Sequence, residues 1–246
     1  MKSGVTSLSH KAAFLAPERH FYYLVKRLLD VFLSCVGLVL CAPLFALIYI
    51  AIRLESSGNP IFTQERVGTF LDKVDGRQVW TQRHFNMYKF RTMRSNASSK
   101  VHQEFIKAYI KGDEAKMASL QNSRDEQEQK YKLQNDTRIT RVGQFLRKTS
   151  LDELPQLINV LIGQMTLVGP RPPIPYEVAM YSPEHYERLN AKQGITGYWQ
   201  VNGRNSTSFE DMVKLDAQYI NEQSILLDLK IIVKTFSEVF YKQKTA

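Results

Sequence analysis

The chain has 246 residues, 43% of them apolar and 11% aromatic, which supplies a packed core and excludes a disordered polymer. Its 33 Lys and Arg against 24 Asp and Glu leave a net charge of +9, so the expected partner is anionic: a nucleic acid, an acidic membrane face or a phosphorylated substrate. The only cysteines, Cys35 and Cys41, share one apolar run, which excludes a disulfide framework and a thiol metal site and fits a reducing compartment.

Residues 1–20 have no hydrophobic period and read as a tail or surface segment. Val31–Ile52 then runs VFLSCVGLVLCAPLFALIYIAI without a charge. At 1.5 Å per residue that is roughly 33 Å of helix, enough to cross a bilayer core. The run starts too late, is too long and lacks the small-residue cleavage site of a secretory signal, so it is expected to stay in the protein. Lys26 and Arg27 before it and Arg53 after it give both ends a reason to remain cytoplasmic. Pro43, near the middle, predicts a bend, because its ring removes one backbone hydrogen bond and crowds the preceding turn. The local sequence leaves three readings open: a hairpin entering and leaving one leaflet, a kinked single span, or a buried helix of a soluble domain.

SSGNP follows as a turn, and IFTQERVG and VWTQRHFNMYKFRTM alternate as strands joined through VDGR, where Asp75 and Gly76 favour a hairpin. From 96 to 134 the composition turns to mixed charge, Gln and Ser, which predicts one or two exposed helices or a mobile insertion dispensable for chemistry. A helix is expected after Ser150, with Leu151, Leu154, Leu157, Ile158 and Leu161 at helical spacing and Gly163 ending it. VGPRPPIP is extended and stiff. Helices at 183–192 and 209–221 flank a loop, GITGYWQVNGRN, and the terminal ILLDLKIIVKTFSEVF has an apolar face suited to the core or to a membrane surface.

Candidate chemistry concentrates on SLDELPQL. Ser150 and Glu153 match a capping box, Asp152 suits the positive end of a helix dipole, and Pro155 is tolerated in a first turn. Taken alone, these features describe a helix start. Adjacent carboxylates on a helix point about 100° apart, so they would not share a proton, though they could face two substrates. The basic residues change the balance. Lys89 and Arg91 alternate on a strand and so point the same way, Arg138, Arg141 and Arg147 approach the acids, and Arg171 and Arg204 are held in proline and glycine loops, placements that suit a grip on phosphate oxygens. His10, His20, His84, His102 and His185 show no ligand spacing, so zinc is not expected, and there is no phosphate-cradling or dinucleotide glycine motif.

KRLLDVFLS, IFTQERVG, YKFRTM, RVGQFLRKTSLDELPQLINVLIGQM, LVGPRP and GITGYWQVNGRN stand in an order that resembles the bacterial sugar transferases. These are small monotopic phosphoglycosyl transferases that load a sugar phosphate from a UDP-sugar onto a polyprenyl phosphate. The resemblance runs from about Phe21 to Tyr241, leaving out the tail and the 96–134 insertion. It implies an α+β fold: a mainly helical, membrane-associated catalytic domain with a small β-hairpin and an N-terminal re-entrant helix broken at Pro43. The implied divisions are a tail at 1–20, a membrane hairpin at 21–57 and a cytoplasmic catalytic domain at 58–246. Asp152 would be the nucleophile that attacks the β-phosphorus, expels UMP and holds the sugar phosphate as an acyl phosphate, giving ping-pong kinetics. Glu153 would assist attack by the polyprenyl phosphate, Lys89, Arg147, Arg171 and Arg204 would bind phosphate, and Mg²⁺ would be the ion, with Asp152 its ligand. Implied partners are a UDP-sugar, a polyprenyl (undecaprenyl) phosphate and membrane lipids at the cytoplasmic face of a bacterial inner membrane; nucleic acid is not expected, and a homodimer is allowed. Ala42, Gln164, Thr166 and Gln193 depart from the family pattern, and Gln193 is expected to loosen its loop. A non-enzymatic membrane adaptor with a basic face for anionic lipids is the competing reading.

Overall fold

The computed structural model describes residues 13–94, 100–121, 138–203 and 207–242. A short strand, β1 (Ala13–Leu15), lies within the segment read as a tail and pairs antiparallel with the hairpin that follows. The hairpin strands β2 (Ile61–Val74) and β3 (Arg77–Phe90) stay in continuous antiparallel register from Val74↔Arg77 to Ile61↔Phe90. Asp75 and Gly76 between them both have left-handed φ, 48° and 80°, as a two-residue turn matched to strand twist requires.

Between β1 and β2 runs α1 (His20–Glu55), 36 residues long, with Pro43 inside a helix that continues on both sides of it. One stripe faces the protein: Asp30, Ser34, Ile48 and Ile52 are buried, and Leu157 approaches Gly37. The other side exposes Phe21, Leu28, Phe32, Val39, Leu40 and Leu47. Only 11% of its most apolar 18-residue window is buried, which removes the reading of a buried core helix.

The 96–134 insertion contributes α2 (Lys100–Ile110) and α3 (Glu114–Gln121) among the described residues. The helices are as expected, but their exposure is not: Phe105, Ala108, Tyr109 and Met117 are buried against Trp199, Phe209, Met212 and Val213. Polar composition concealed this, because a single apolar face at helical spacing is enough to seat a helix.

The remainder runs α4 (Arg141–Lys148), a 3₁₀ turn at Leu151–Glu153, α5 (Gln156–Leu161), β4 (Thr166–Val168) and α6 (Pro175–Val178), followed by a 3₁₀ helix at Pro183–Leu189 where a longer helix was expected. The segment expected to be a loop is instead a strand, β5 (Gly194–Thr196), and a short helix, α7 (Tyr198–Asn202). β5 pairs parallel with β4, and the two chains approach so closely that a Cβ on Gly169 or Gly194 would strike the other's backbone. The helices α8 (Phe209–Glu222) and α9 (Ile225–Lys242) close the fold. α9 packs on the core through Ile231 and Asp228, which are buried, while Leu226, Leu229, Val233 and Phe236 on its other side are exposed.

Candidate active site

Helix α4 is fixed at its start from two directions. Thr140 Oγ1 accepts from Gly143 N at 3.0 Å, and the Glu55 carboxylate, at the end of α1, accepts from the backbone of Arg141 and Val142 at 2.7 and 3.0 Å. Gly143 lies so close to the Thr92 backbone that any Cβ would collide with it. That approach lets Arg147 Nε donate to Thr92 Oγ1 at 2.8 Å.

After α4 the chain reverses at Ser150, whose φ of 57° is left-handed. The predicted capping box is therefore absent. Ser150 makes no side-chain cap bond, and its carbonyl accepts from Glu153 N at 3.2 Å, because the residue ends the helix before it instead of starting the one after. Asp152 and Glu153 occupy the single 3₁₀ turn between helices, with Pro155 opening α5. Successive residues of such a turn diverge by roughly 120°. Glu153 Oε1 accepts from both Lys89 Nζ, at 3.0 Å, and Arg171 Nη2, at 2.8 Å.

The register between this turn and β3 is set by Asn159, which is fully buried. Its side chain accepts from Tyr88 N at 3.0 Å and donates to Asn86 O at 2.7 Å, beside Lys89. Gln164, one of the departures from the family pattern, accepts from the same amide. At the far end of α5, Arg27 of α1 donates to the carbonyls of Val160 and Leu161 at 2.6 and 2.8 Å, meeting the negative end of the helix. The Arg171 loop is held by Arg66 Nη1, which donates to Pro172 O at 2.8 Å, and by Val67 N, which donates to Pro173 O at 2.9 Å.

Burial pushes Lys89 down to about 8. Glu153 and Asp152 oppose that shift, while Arg171 and Arg66 reinforce it, so all four charges act on the ammonium. Arg66 is likewise lowered, to about 10, by burial and then by Arg171, and its Nε has no hydrogen-bond partner among the described residues.

Of the residues predicted for the site, Lys89, Arg171 and Glu153 are in direct contact, Asp152 is next to them in the same turn, and Arg147 lies in the last turn of the helix leading to it. Arg204 lies outside the described residues. Arg91 does not point with Lys89 as predicted: β3 ends at Phe90, and Arg91 donates to the Ser56 and Ser57 carbonyls, clamping the turn after α1. Gln193 does not loosen its loop. It is fully buried, accepts from Thr69 N and donates to Ala191 O, tying loop to hairpin. The sequence reading gave no role to Asp30, Glu55 or Arg66, and gave Arg27 only that of a charge flanking the apolar run. Asp30 accepts from Thr166 Oγ1 and Leu167 N at 2.7 and 2.9 Å. Charges flanking or entering an apolar run were the available signal, since burying them is costly without partners.

Comparison with known proteins places this geometry in a family setting. The family model described as "Bacterial sugar transferase" matches residues 21–242. The chain is 40% identical over 226 residues to the galactosyl transferase CpsE of Streptococcus agalactiae, covering 90% of this chain and 43% of that protein. It is 39% identical over 215 residues to the undecaprenyl-phosphate galactose phosphotransferase of Salmonella typhimurium, covering 86% and 39%. With the exopolysaccharide production protein ExoY of Rhizobium meliloti it shares 36% identity over 244 residues, covering 97% of each chain. The chain thus spans about two-fifths of the first two relatives and nearly all of the third.

Proposed function

Because this chain belongs to the bacterial sugar transferase family, we propose that it transfers a sugar 1-phosphate from a UDP-sugar to a polyprenyl phosphate with release of UMP, the first membrane step of a polysaccharide or related glycoconjugate. The observation that carries this reading is the acid turn, where Asp152 and Glu153 sit among Lys89, Arg171 and Arg66 and the Lys89, Glu153 and Arg171 side chains keep 14%, 20% and 27% of their surface exposed.

A carboxylate oxygen of Asp152 attacks the β-phosphorus of the donor. The bond from that phosphorus to the bridging oxygen breaks, and UMP leaves with the electron pair. The sugar phosphate is then held as a mixed anhydride on Asp152. A polyprenyl phosphate oxygen attacks the same phosphorus, the bond to Asp152 breaks and the carboxylate is regenerated. The difficulty is that an anion must attack an anion, so fixed cations are needed before substrate arrives. Glu153 supplies that order by holding Lys89 and Arg171 on one oxygen, and it stands beside the nucleophile to assist the second attack. Arg147 and, from the sequence, Arg204 add to the phosphate grip.

Among the described residues no three His, Cys, Asp or Glu side chains gather to hold a metal ion. Mg²⁺ commonly binds through one or two carboxylates plus substrate phosphates and retained water, so Asp152 alone fits an ion that arrives with the diphosphate. Such an ion would offset diphosphate charge.

α1 is proposed to lie in the cytoplasmic leaflet and to leave by the side it entered. A single span would put its ends on opposite faces of a core about 30 Å thick. Here Arg27, Gly37 and Glu55 all meet the same body, at α5 and α4. The outward apolar residues of α1 and α9 supply surface for lipid. The acid turn would then meet a lipid-borne phosphate and an aqueous nucleotide at one boundary.

The test is UMP release by the purified protein in detergent with a panel of UDP-hexoses. About one equivalent without acceptor, and continuous release with undecaprenyl phosphate, are expected. No release with any donor, despite binding to anionic vesicles, would favour an adaptor.

A further inference from the structure

Lys89, the cation that Glu153 holds at 3.0 Å, has an aromatic neighbour that the phosphate chemistry does not use. In the hairpin register Phe62 of β2 stands directly opposite Lys89 of β3. Such a pair shares one face of the sheet, with Cβ atoms about 4.5–5.5 Å apart. The same face continues along β2 through Gln64 and Arg66, which are joined by a 2.7 Å hydrogen bond from Arg66 Nη2 to Gln64 Oε1. Farther along it on β3, Met87 and Phe85 are buried, yet Phe62 is 48% exposed. A half-open ring beside a held charge is apolar surface left at the edge of the site.

The strand gives this ring a direction. β2 begins a short turn after α1 ends, and its first residue, Ile61, packs in one cluster with Ile48 and Ile52 of α1 and with Leu151 and Leu154, which bracket Asp152 and Glu153. The end of α1, the start of β2 and the acid turn therefore meet. Arg66, which fastens the Arg171 loop through Pro172 O, lies four residues farther along the strand, roughly 13 Å from Phe62. Phe62 thus marks the side of Lys89 nearest the outward surface of α1, where Leu54 is 84% exposed, and Arg66 marks the opposite side.

The two substrates differ in what they carry next to the reacting phosphate. In a UDP-sugar the uracil ring is separated from the β-phosphorus by the α-phosphate and the ribose, and the sugar on that phosphorus bears hydroxyls around its ring. In a polyprenyl phosphate the first isoprene unit is bonded to a phosphate oxygen, so charge and hydrocarbon are adjacent, as Lys89 and Phe62 are. We propose that Phe62 seats the first isoprene unit of the polyprenyl phosphate, setting the acceptor's phosphate at the acid turn and playing no part in the donor half of the reaction. Burying the ring under hydrocarbon removes its apolar surface from water, which is the source of the affinity. The inference rests on the transferase reading but can fail separately from it.

In a ping-pong reaction kcat/KM for each substrate reports its own half-reaction, so steady-state kinetics of the full chain in detergent separate donor from acceptor. The substrates are undecaprenyl phosphate and whichever UDP-hexose releases UMP, and the variants are F62T, which keeps strand preference, and F62L, which keeps apolar bulk. F62T should lower kcat/KM for undecaprenyl phosphate about tenfold, the scale of leaving half an aromatic side chain unburied. Its kcat/KM for the UDP-hexose should stay within about twofold, and F62L should recover most of the acceptor loss. Binding of F62T to phosphatidylglycerol vesicles should match that of the unaltered protein. An unchanged acceptor kcat/KM in F62T would overturn the inference while the transferase reading stands. Equal loss for donor and acceptor would overturn it too, by making Phe62 a support for Lys89 or a wall for the sugar, and weaker vesicle binding would assign the ring to the bilayer instead. If the unaltered protein releases no UMP from any donor, with or without undecaprenyl phosphate, both readings fall.

Discussion

Two clusters of charge in this protein are built from the same kinds of side chain and differ in closure. At Arg188, the guanidinium donates through Nε to Asp216 at 2.7 Å and through Nη1 to Tyr181 and Glu177 at 3.0 and 3.3 Å. The Arg188 and Asp216 side chains are only 2% and 1% exposed, and one cation answers two carboxylates. At the acid turn the Lys89, Glu153 and Arg171 side chains stay partly open, and both cations meet on one oxygen of Glu153. A sealed, neutralised cluster joins elements, here the 3₁₀ helix at Pro183–Leu189 to α6 and α8. An open cluster leaves its charged groups within reach of a substrate, which under the proposed function is the phosphate of donor or acceptor.

That contrast can be broken most forcefully at Asp152. Asp152→Asn should lower turnover on the order of 10³-fold or more, as loss of a nucleophile does, with the thermal midpoint unchanged; a large drop in that midpoint with activity retained would make the acid turn scaffold. Arg188→Met should do the opposite. Leaving Asp216 and Glu177 buried without their cation costs about 3–5 kcal/mol, read as a lower denaturation midpoint, and an undiminished midpoint would erase the distinction between the clusters. The pH profile sharpens it further. Lys89 has an ordinary value of 10.5 and sits near 8 in the fold, so as pH climbs through about 8 it loses its proton while an unfolded chain would keep it. Activity should fall above that pH, and Lys89→Arg should move the descending limb upward if the variant is active. The same shift means that the charged form opposes folding at neutral pH, a penalty that fades between about 8 and 10.5. The smallest effect is expected at Glu55→Gln, which weakens the cap on α4 by about 1 kcal/mol. It should lower the melting temperature slightly and spare donor choice.

The parts that the sequence made legible are those written in local chemistry. Asp75–Gly76 specifies its turn because both residues tolerate positive φ, and the alternation on each side carries the hairpin. Gly163, with φ of 85°, ends α5 where expected. Lys89, Arg171 and Glu153 were found through motif order, and their meeting through one carboxylate oxygen is a tertiary fact. What escaped depends on partners distant in sequence. Ser150 looks like a cap because its spacing to Glu153 is right, yet its left-handed backbone belongs to the helix before it. Asp30 and Glu55 acquire roles only from Thr166, Leu167 and the start of α4, more than eighty residues away. Polar composition hid the buried face of α2, since four well-placed side chains seat two helices.

The central claim is a covalent bond between Asp152 and a glycosylated phosphorus, and rapid acid quenching followed by intact-mass measurement tests it most directly. With a competent UDP-sugar and no acceptor, the protein should gain the mass of one sugar phosphate within a single turnover, map it to Asp152 and lose it when undecaprenyl phosphate is added. A preparation that turns over at full rate yet never gains that mass, or an Asp152→Asn protein that transfers as fast as the unaltered chain, would contradict the account.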